Sequence, residues 1–215
     1  MTPKIFAFEG TDGVGKTTLA AKVHEQLQHV GIRSELLPEF GNNIVGRLIS
    51  GRVSDQGFWS LGDAPAENHA CLLVLLADYL LRLANIERAT DVVLADRYLL
   101  SLLECQWSPL VENGYADSDV SSAILALTRT LPTPATTYIL QVPPDERLRR
   151  LKSRGDQVDS EILRTLDRRD EWRISAIVTH QDWMGRTSTV DASLPQDAVL
   201  SAIIDDMSQV LGRSL

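Results

Sequence analysis

Short apolar runs alternate along the chain with longer stretches whose apolar residues recur every three or four positions. This alternation is typical of an α/β domain built on a parallel sheet, because parallel strands need crossover helices between them. The pattern predicts five strands, at 4–8, 33–37, 91–95, 136–142 and 187–191.

Helices are predicted between and after these strands. The first helix follows the first strand directly, and Gly31 comes where a left-handed cap would end it. A last helix is predicted after Pro195, a residue suited to a first helical turn. Four further helices are predicted at 66–88, 119–130, 144–153 and 161–180, and a loop at 106–119.

Composition and charge narrow the class of protein. Hydrophobic residues make up 44% of the 215 positions and no linker divides them, so one domain over 1–215 is expected. The net charge of −8 argues against binding a nucleic-acid polymer, which depends on basic side chains. The longest apolar run, 70–77, is too short to span a membrane. Two cysteines without zinc spacing or disulfide density favour the cytoplasm.

A complete phosphate-binding loop follows the first strand. Residues 10–17 read GTDGVGKT and satisfy the pattern G-x-x-x-x-G-K-[ST]. The glycines let backbone N–H groups converge on phosphate oxygens, and the next helix turns its positive end toward the same anion. Lys16 would neutralise the β and γ phosphates, and Thr17 would offer its hydroxyl to Mg²⁺. The candidate nucleotide-binding residues are Gly10, Thr11, Asp12, Gly13, Val14, Gly15, Lys16, Thr17 and Thr18.

The third strand ends in an acid and an arginine, Asp96 and Arg97. Ligands of open α/β sheets bind at the carboxyl ends of the strands. An acid there can hold Mg²⁺ or accept a proton, and an arginine can clamp a second phosphate through two parallel hydrogen bonds. A strand-end salt bridge without chemistry is the alternative, and the phosphate loop favours the functional interpretation.

A second basic cluster, at 147–154, precedes the polar segment GDQVDSE. For most of these residues a solvated helix face is the simplest interpretation. Arg154 is the exception, because it lies where the predicted helix meets a Gly-containing polar segment. That arrangement is typical of a lid that closes over phosphates and brings an arginine to the transferring group. The predicted lid covers residues 150–162.

Together these stretches resemble the thymidylate kinase family of P-loop nucleoside monophosphate kinases. The family's motifs appear in order from residue 4 to residue 212, as FEGTDGVGKTT, PEFGNNIVG, DRYLLSLLECQ, LQVPPDE, SRGDQVDSE and TVDAS. The resemblance implies a P-loop NTPase fold, with a five-stranded parallel sheet flanked by helices and a lid. It implies phosphoryl transfer from ATP, with Mg²⁺, to a nucleoside 5′-monophosphate, with dTMP as the first candidate. It also favours a homodimer.

The resemblance assigns roles to single residues. Arg97 corresponds to the clamp on the acceptor phosphate, and Arg154 to the lid arginine. The implied catalytic set is Asp12, Lys16, Arg97 and Arg154, and the implied metal ligands are Thr17 and Asp96. The implied donor site adds Arg150, Asp191 and Ala192 to the loop. The implied acceptor site comprises Asp12, Glu39, Phe40, Tyr79, Arg97, Ser101, Cys105 and Gln106.

The acceptor pocket departs from the family pattern. Tyr79 stands where the family has the arginine that faces the thymine base, unless Arg82 or Arg88 restores that charge. This exchange replaces a double hydrogen-bond donor by a stacking face, which would suit a larger or modified base. Cys105 replaces a tyrosine near the sugar, which would admit a ribonucleotide or a sugar-modified analogue, although simple packing also explains a small buried thiol.

Two other functions stay open on the sequence alone. One is a P-loop kinase of a modified nucleotide or another small acceptor, and the other is a nucleotide-binding module that no longer catalyses. The retained Arg97 argues against an acceptor without a phosphate. The retained Lys16, Thr17, Asp96 and Arg154 argue against the loss of catalysis.

Overall fold

The structure is a computed structural model that describes residues 2–56, 65–102, 130–156 and 181–215. It also describes single positions between these ranges, namely 122, 126, 128, 158, 163, 166, 167, 169–171, 173, 174 and 177. For residues 52–56 and 65–69 only the backbone is described.

Five parallel strands form one sheet in the order β2-β3-β1-β4-β5. They are β1 (Lys4–Glu9), β2 (Ser34–Leu37), β3 (Val92–Asp96), β4 (Thr136–Gln141) and β5 (Arg186–Asp191). Every end lies within one residue of the predicted range, so the five-stranded parallel sheet is confirmed. The inner strand β3 is buried throughout, because helices cover both faces of the sheet, and this burial explains its continuous apolar sequence.

Within the described ranges, six helices with defined bounds surround the sheet. They are α1 (Lys16–His29), α2 (Ile44–Gln56), α3 (Pro65–Ala84), α4 (Pro144–Ser153), α5 (Gln181–Met184) and α6 (Gln196–Leu211). The predicted range 144–153 is confirmed exactly, and α6 begins directly after Pro195 as expected. The described residues from 163 to 177 are helical, in agreement with the predicted helix at 161–180. The predicted loop at 106–119 lies outside the described residues.

One helix was not predicted, and the predicted end of another was wrong. The helix α2 was not predicted, and its start is marked by Asn43, whose Oδ1 accepts the backbone N–H groups of Val45 and Gly46 at 2.9 and 3.0 Å. The predicted helix 66–88 ends at Ala84, because the N–H of Glu87 donates to the Glu35 carboxylate at 2.9 Å rather than continuing the helix. No helix among the described residues is long and apolar enough to cross a membrane.

Apolar side chains fill the space on both faces of the sheet. On one face, Ile5 and Val93 pack with residues of α3 such as Leu76. On the other face, Phe6 packs against α1 and α6. Alternate residues of β1 therefore serve opposite cores, which fixes the strand at the centre of the sheet and places the loop after Glu9 at the carboxyl edge.

Candidate active site

The loop between β1 and α1 takes a conformation that requires glycine. Gly10, Gly13 and Gly15 have φ values of 143°, 86° and 99°. A Cβ on Gly10 would lie 2.6 Å from the Leu140 carbonyl oxygen. Gly15 is the N-cap of α1, and within the described part of the chain no side chain caps this helix. The first N–H groups of α1 are therefore left for an anion.

A cleft of about 460 Å³ lies over this loop. Its wall includes residues 12–19 together with residues that follow other strands: Glu39 after β2, Arg150 and Arg154 from α4 and its C-cap, and Ala192 after β5. The sequence-predicted nucleotide-binding residues Val14 and Thr18 are among the lining residues. The structure thus brings most of the predicted donor-site residues together at the carboxyl edge of the sheet.

Lys16 and Asp12 form the charged floor of the cleft. Lys16 is 6% exposed, and its Nζ donates to the Thr11 carbonyl oxygen at 2.9 Å and lies 3.9 Å from Asp12 Oδ1. Burial, assisted by the nearby Arg97, lowers the pKa of Lys16 to about 8. Burial alone would raise the pKa of Asp12, but Arg97 and Lys16 hold it at about 2. Asp12 is therefore ionised at neutral pH.

Arg97 lies at the centre of the predicted acceptor side. Its backbone is left-handed, with φ of 66°, and its side chain is buried. The guanidinium pairs with Asp12, lies 2.8 Å from Glu39, and donates to Gly10 O and Ser101 Oγ at 3.3 and 3.2 Å. Burial raises the pKa of Glu39, and Arg97 opposes that rise. Arg97 thereby joins the phosphate loop to the segment after β2.

Thr17 and Asp96 place two hard oxygen donors beside the phosphate loop. The Thr17 hydroxyl donates to Asp96 Oδ2 at 2.5 Å, and the buried Oδ1 of Asp96 has no hydrogen-bond partner among the described residues. Such an orphaned oxygen fits a hard divalent cation. The described residues contain no group of three His, Cys, Asp or Glu side chains that could hold an ion alone. A cation here would need further ligands from phosphate or water.

The predicted donor-side residues lie at the far end of the cleft. Arg150 donates to Val14 O at 3.2 Å and to Ala192 O at 2.9 Å, so it ties the phosphate loop to the segment after β5. Asp191 accepts the N–H and the hydroxyl of Ser193 at 2.9 and 2.5 Å, and these hydrogen bonds lower its pKa. Asp191 therefore shapes the turn that carries Ala192.

Arg154 is the C-cap of α4 and lines the cleft. Its side chain is 61% exposed and pairs with Asp156 at 2.5 Å. An exposed pair of this kind contributes little to stability. The guanidinium can therefore exchange Asp156 for a phosphate at small cost.

Comparison with known proteins places this site in a family. A family model described as thymidylate kinase matches residues 8–203. The chain belongs to the thymidylate kinase family. It is 31% identical over 148 residues to a probable thymidylate kinase of Pyrobaculum calidifontis, an alignment that covers 69% of each chain. It is 30% identical over 201 residues to the thymidylate kinase of Xanthomonas campestris pv. campestris, covering 91% of this chain and 79% of that relative.

Of the acceptor-side residues that depart from the thymidylate kinase family pattern, Tyr79 lies in the described part of the chain. Tyr79 is 4% exposed, donates to the Tyr98 carbonyl oxygen at 3.3 Å, and packs edge-on to the Tyr98 ring. Burial raises its pKa strongly. Its ring lies in the core and also carries the Arg82 guanidinium at 4.2 Å from its centroid. A direct contact of Tyr79 with an acceptor stays a prediction.

Arg82 and Arg88 lie in different places. Arg82 pairs with the buried Asp78 at 2.9 Å and donates to the carbonyl oxygen of Pro38, just beyond the carboxyl end of β2. Arg88 lines a separate surface depression with Lys4 and Asp91, at the amino ends of β1 and β3. Of the two candidates for the missing base-facing charge, Arg82 is therefore the one at the edge of the sheet that carries the cleft.

The structure describes two of the four remaining acceptor-side residues. Ser101 is buried and bonded to Arg97, and Phe40 packs half-buried against the core cluster to which Tyr79 belongs. Cys105 and Gln106 lie outside the described residues, so their roles stay predictions.

Sequence reasoning missed two buried charged groups beside the loop. Glu9 is fully buried and hydrogen-bonds the segment after β3. Its signal in the sequence is a carboxylate at the end of an otherwise apolar strand, KIFAFE. Arg147 is buried and lies 2.5 Å from both Asp167 and Asp170, and it donates to Thr11 Oγ1 at 3.4 Å. Its partners stand 20 and 23 positions away, so no local pattern reveals them.

Proposed function

We propose that the protein transfers the γ-phosphoryl group of ATP to dTMP, giving ADP and dTDP. The observation that carries this proposal is the position of Arg97, a buried cation beside a complete phosphate loop and bonded to Asp12 and Gly10 of that loop. Lys16 and the loop suit the phosphates of ATP, and Arg97 suits a second phosphorylated substrate. Membership of the family, and relatives named thymidylate kinase, support dTMP as that substrate.

Different residues bind the two substrates in this proposal. The loop N–H groups and Lys16 hold the ATP phosphates, while Arg97 exchanges Glu39 for the acceptor phosphate and aligns it. A phosphate oxygen already carries negative charge, so no side chain has to serve as nucleophile. Closure of the lid, residues 150–162, brings Arg154 to the transferring group and excludes water.

We propose that Thr17 and Asp96 hold Mg²⁺ when ATP is bound. The short Thr17–Asp96 hydrogen bond and the orphaned Asp96 Oδ1 support this assignment. Bound Mg²⁺ supplies charge neutralisation on the β and γ phosphates. Two protein oxygens, with phosphate and water completing the shell, match the usual magnesium site of phosphoryl-transfer enzymes.

A kinase of a modified nucleotide is the second candidate, favoured by the burial of Tyr79 and by the engagement of Arg82 with Asp78. Both side chains are committed to contacts within the protein. Neither side chain is then free to recognise thymine, so other residues would contact the base and could favour a different one.

We further propose a homodimer that forms through α3. Leu73 and Leu80 lie seven positions apart on this helix and are 54% and 41% exposed. Leu48 on α2, a helix that contacts α3, is 71% exposed as well. Exposed apolar patches of this kind mark interfaces. The low cysteine content of the sequence supports the cytoplasm as the compartment.

The proposed function is tested by measuring ADP release with ATP and Mg²⁺ against dTMP, dUMP, UMP, CMP, dCMP, AMP and GMP. The expected result is the highest kcat/KM with dTMP. Preference for another monophosphate would support the second candidate. If no monophosphate causes ADP release while calorimetry still detects ATP binding, phosphorylation of these nucleotides is contradicted.

A further inference from the structure

Glu9 is a buried carboxylate to which the proposed mechanism gives no role. It ends β1 and is fully buried. Its Oε1 accepts the backbone N–H groups of Tyr98 and Ser101 at 2.8 and 3.1 Å, and its Oε2 accepts the Ser101 hydroxyl at 2.5 Å. All three hydrogen bonds reach the segment that follows the neighbouring strand β3, so the carboxylate joins two strand ends.

The segment after β3 needs such support. Arg97 has a left-handed backbone, which is unfavourable for a residue with a Cβ, and a helical turn begins two residues later at Leu99. The first N–H groups of a helical turn have no partners within the turn. Glu9 accepts two N–H groups from this region, and negative charge is favourable at the start of a helix. The carboxylate therefore holds the conformation in which Arg97 stands.

The Ser101 hydroxyl extends this support to the Arg97 side chain. A hydroxyl has one hydrogen, and a carboxylate accepts but does not donate. The Ser101 hydrogen therefore points to Glu9, which leaves its oxygen lone pairs for Arg97 Nη1 at 3.2 Å. The direction of both hydrogen bonds is set by Glu9.

We propose that Glu9 is a positioning residue that orients the Arg97 guanidinium toward the acceptor phosphate through Ser101. The proposal rests on the proposed function, in which Arg97 clamps that phosphate. Glu9 is not among the residues that line the cleft, and it acts through the Ser101 hydroxyl and the Arg97 backbone.

The matched variant is Glu9→Gln, which keeps the shape and one acceptor oxygen. That oxygen can still accept the two backbone N–H groups, but the amide then faces Ser101 with a donor. Ser101 would have to accept from both Gln and Arg97, and its hydroxyl would lose its fixed direction. Because a hydrogen bond to a charged group is worth about tenfold in affinity, the acceptor KM should rise about tenfold. The ATP KM and kcat should change by less than about twofold, as expected for lost acceptor binding.

Two further variants separate positioning from folding. Ser101→Ala should raise the acceptor KM similarly, and the double variant should be no worse than the stronger single one, because both act through one chain of hydrogen bonds. Thr137→Val is the control, since it removes another buried hydroxyl, bonded to Met184 O at 2.6 Å. It should lower the Tm without changing the acceptor KM. Additive effects of Glu9→Gln and Ser101→Ala, or a Glu9→Gln enzyme that loses Tm but keeps its acceptor KM, would overturn the proposal.

A crystal structure of Glu9→Gln tests the inference apart from the identity of the acceptor. If wild-type protein phosphorylates none of the monophosphates, the proposed function fails, but the orientation of Arg97 can still be compared. Displacement of its guanidinium from Gly10 O and Ser101 would support positioning by Glu9. An unmoved Arg97 would overturn it.

Discussion

Arg97 Nε lies 2.8 Å from Oε1 of Glu39, so a carboxylate is paired with the guanidinium that is proposed to bind the acceptor phosphate. Asp12 binds the same guanidinium from the phosphate loop. Desolvation raises the pKa of Glu39 and Arg97 opposes the rise, although 43% of the Glu39 side-chain surface stays exposed. If Arg97 clamps the acceptor phosphate as proposed, acceptor binding requires the exchange of one anion for another on Arg97.

Replacing Arg97 by lysine should weaken acceptor binding although the charge is kept. Lysine cannot form the two parallel hydrogen bonds of a guanidinium and cannot reach Asp12, Gly10 and Ser101 together. We expect an acceptor KM about tenfold to a hundredfold higher and an ATP KM within about twofold, as lost bidentate contacts imply. Steady-state kinetics with each substrate varied in turn measures both constants. An unchanged acceptor KM would remove Arg97 from the acceptor site.

Removal of the Arg154 side chain should lower turnover more than binding. Arg154 lines the cleft and its side chain is 61% exposed, so the ion pair with Asp156 does not hold it strongly. If it stabilises charge only during transfer, Arg154→Ala should reduce kcat about a hundredfold or more, with small changes in either KM. Arg149→Ala is the control, because Arg149 lies on the same helix and pairs only with Glu146 in the described contacts. Equal losses in both variants would contradict a catalytic role for Arg154.

ATP binding should take up a proton above pH 8. Burial lowers the pKa of Lys16 from 10.5 to about 8 in the free protein, and the phosphates of ATP would raise it again. Below pH 8 both states carry the proton, so binding is independent of this group. Above pH 8 the complex holds more protons than the free protein, so affinity should fall as pH rises. Calorimetry of Mg-ATP binding in two buffers of different ionisation heat should detect more proton uptake at pH 9 than at pH 6.5. Equal binding heats in the two buffers at pH 9 would contradict a lowered Lys16 pKa.

The same shift has the opposite consequence for folding. The unfolded chain keeps its Lys16 proton up to pH 10.5, whereas the folded protein releases it near pH 8. Between these values the unfolded state binds more protons, so the contribution of Lys16 to the free energy of unfolding rises with pH. Urea unfolding of Lys16→Met should lack this rise.

Arg147 should matter for stability although it lies outside the cleft. It is buried between Asp167, Asp170 and Thr11, and it joins α4 to the helical residues after the lid. Arg147→Met should reduce the free energy of unfolding by about 1–3 kcal/mol, less than for a fully buried pair because both carboxylates are partly exposed. Arg149→Met, which breaks an exposed pair on the same helix, should leave the urea midpoint unchanged. Similar midpoints for the two variants would show that the buried cluster adds no stability.

The strands were predictable because the sheet is covered on both faces. Val92–Asp96 is buried at every position, so its sequence is apolar without interruption until Asp96. The helix α2 was not predictable from the sequence, because its start depends on a cap by Asn43. That residue lies in the stretch GNN, which also suits a turn. The end of α3 depends on Glu35, which is distant in sequence from Glu87.

The candidate site also has a part that the sequence predicts and a part that it does not. Residues of the phosphate loop are consecutive, so one pattern predicts them and the structure gathers them around one cleft. Glu9 bonds residues 89 and 92 positions away, and only the pairing of β1 with β3 brings them together. Interactions that depend on strand order could not be derived from local spacing.

The apolar surface on α3 should hold two copies of the chain together. Leu73, Leu80 and Leu81 are 54%, 41% and 40% exposed, and burying such side chains against a second copy would remove apolar area from water. Leu80→Glu would place a charge in that interface, so the variant should sediment as a monomer where wild-type protein sediments as a dimer. Ile174→Glu is the matched control, since Ile174 is 56% exposed on a different helical segment and should leave the dimer intact. A monomeric wild-type protein in sedimentation velocity, or loss of the dimer in both variants, would contradict an interface formed by α3.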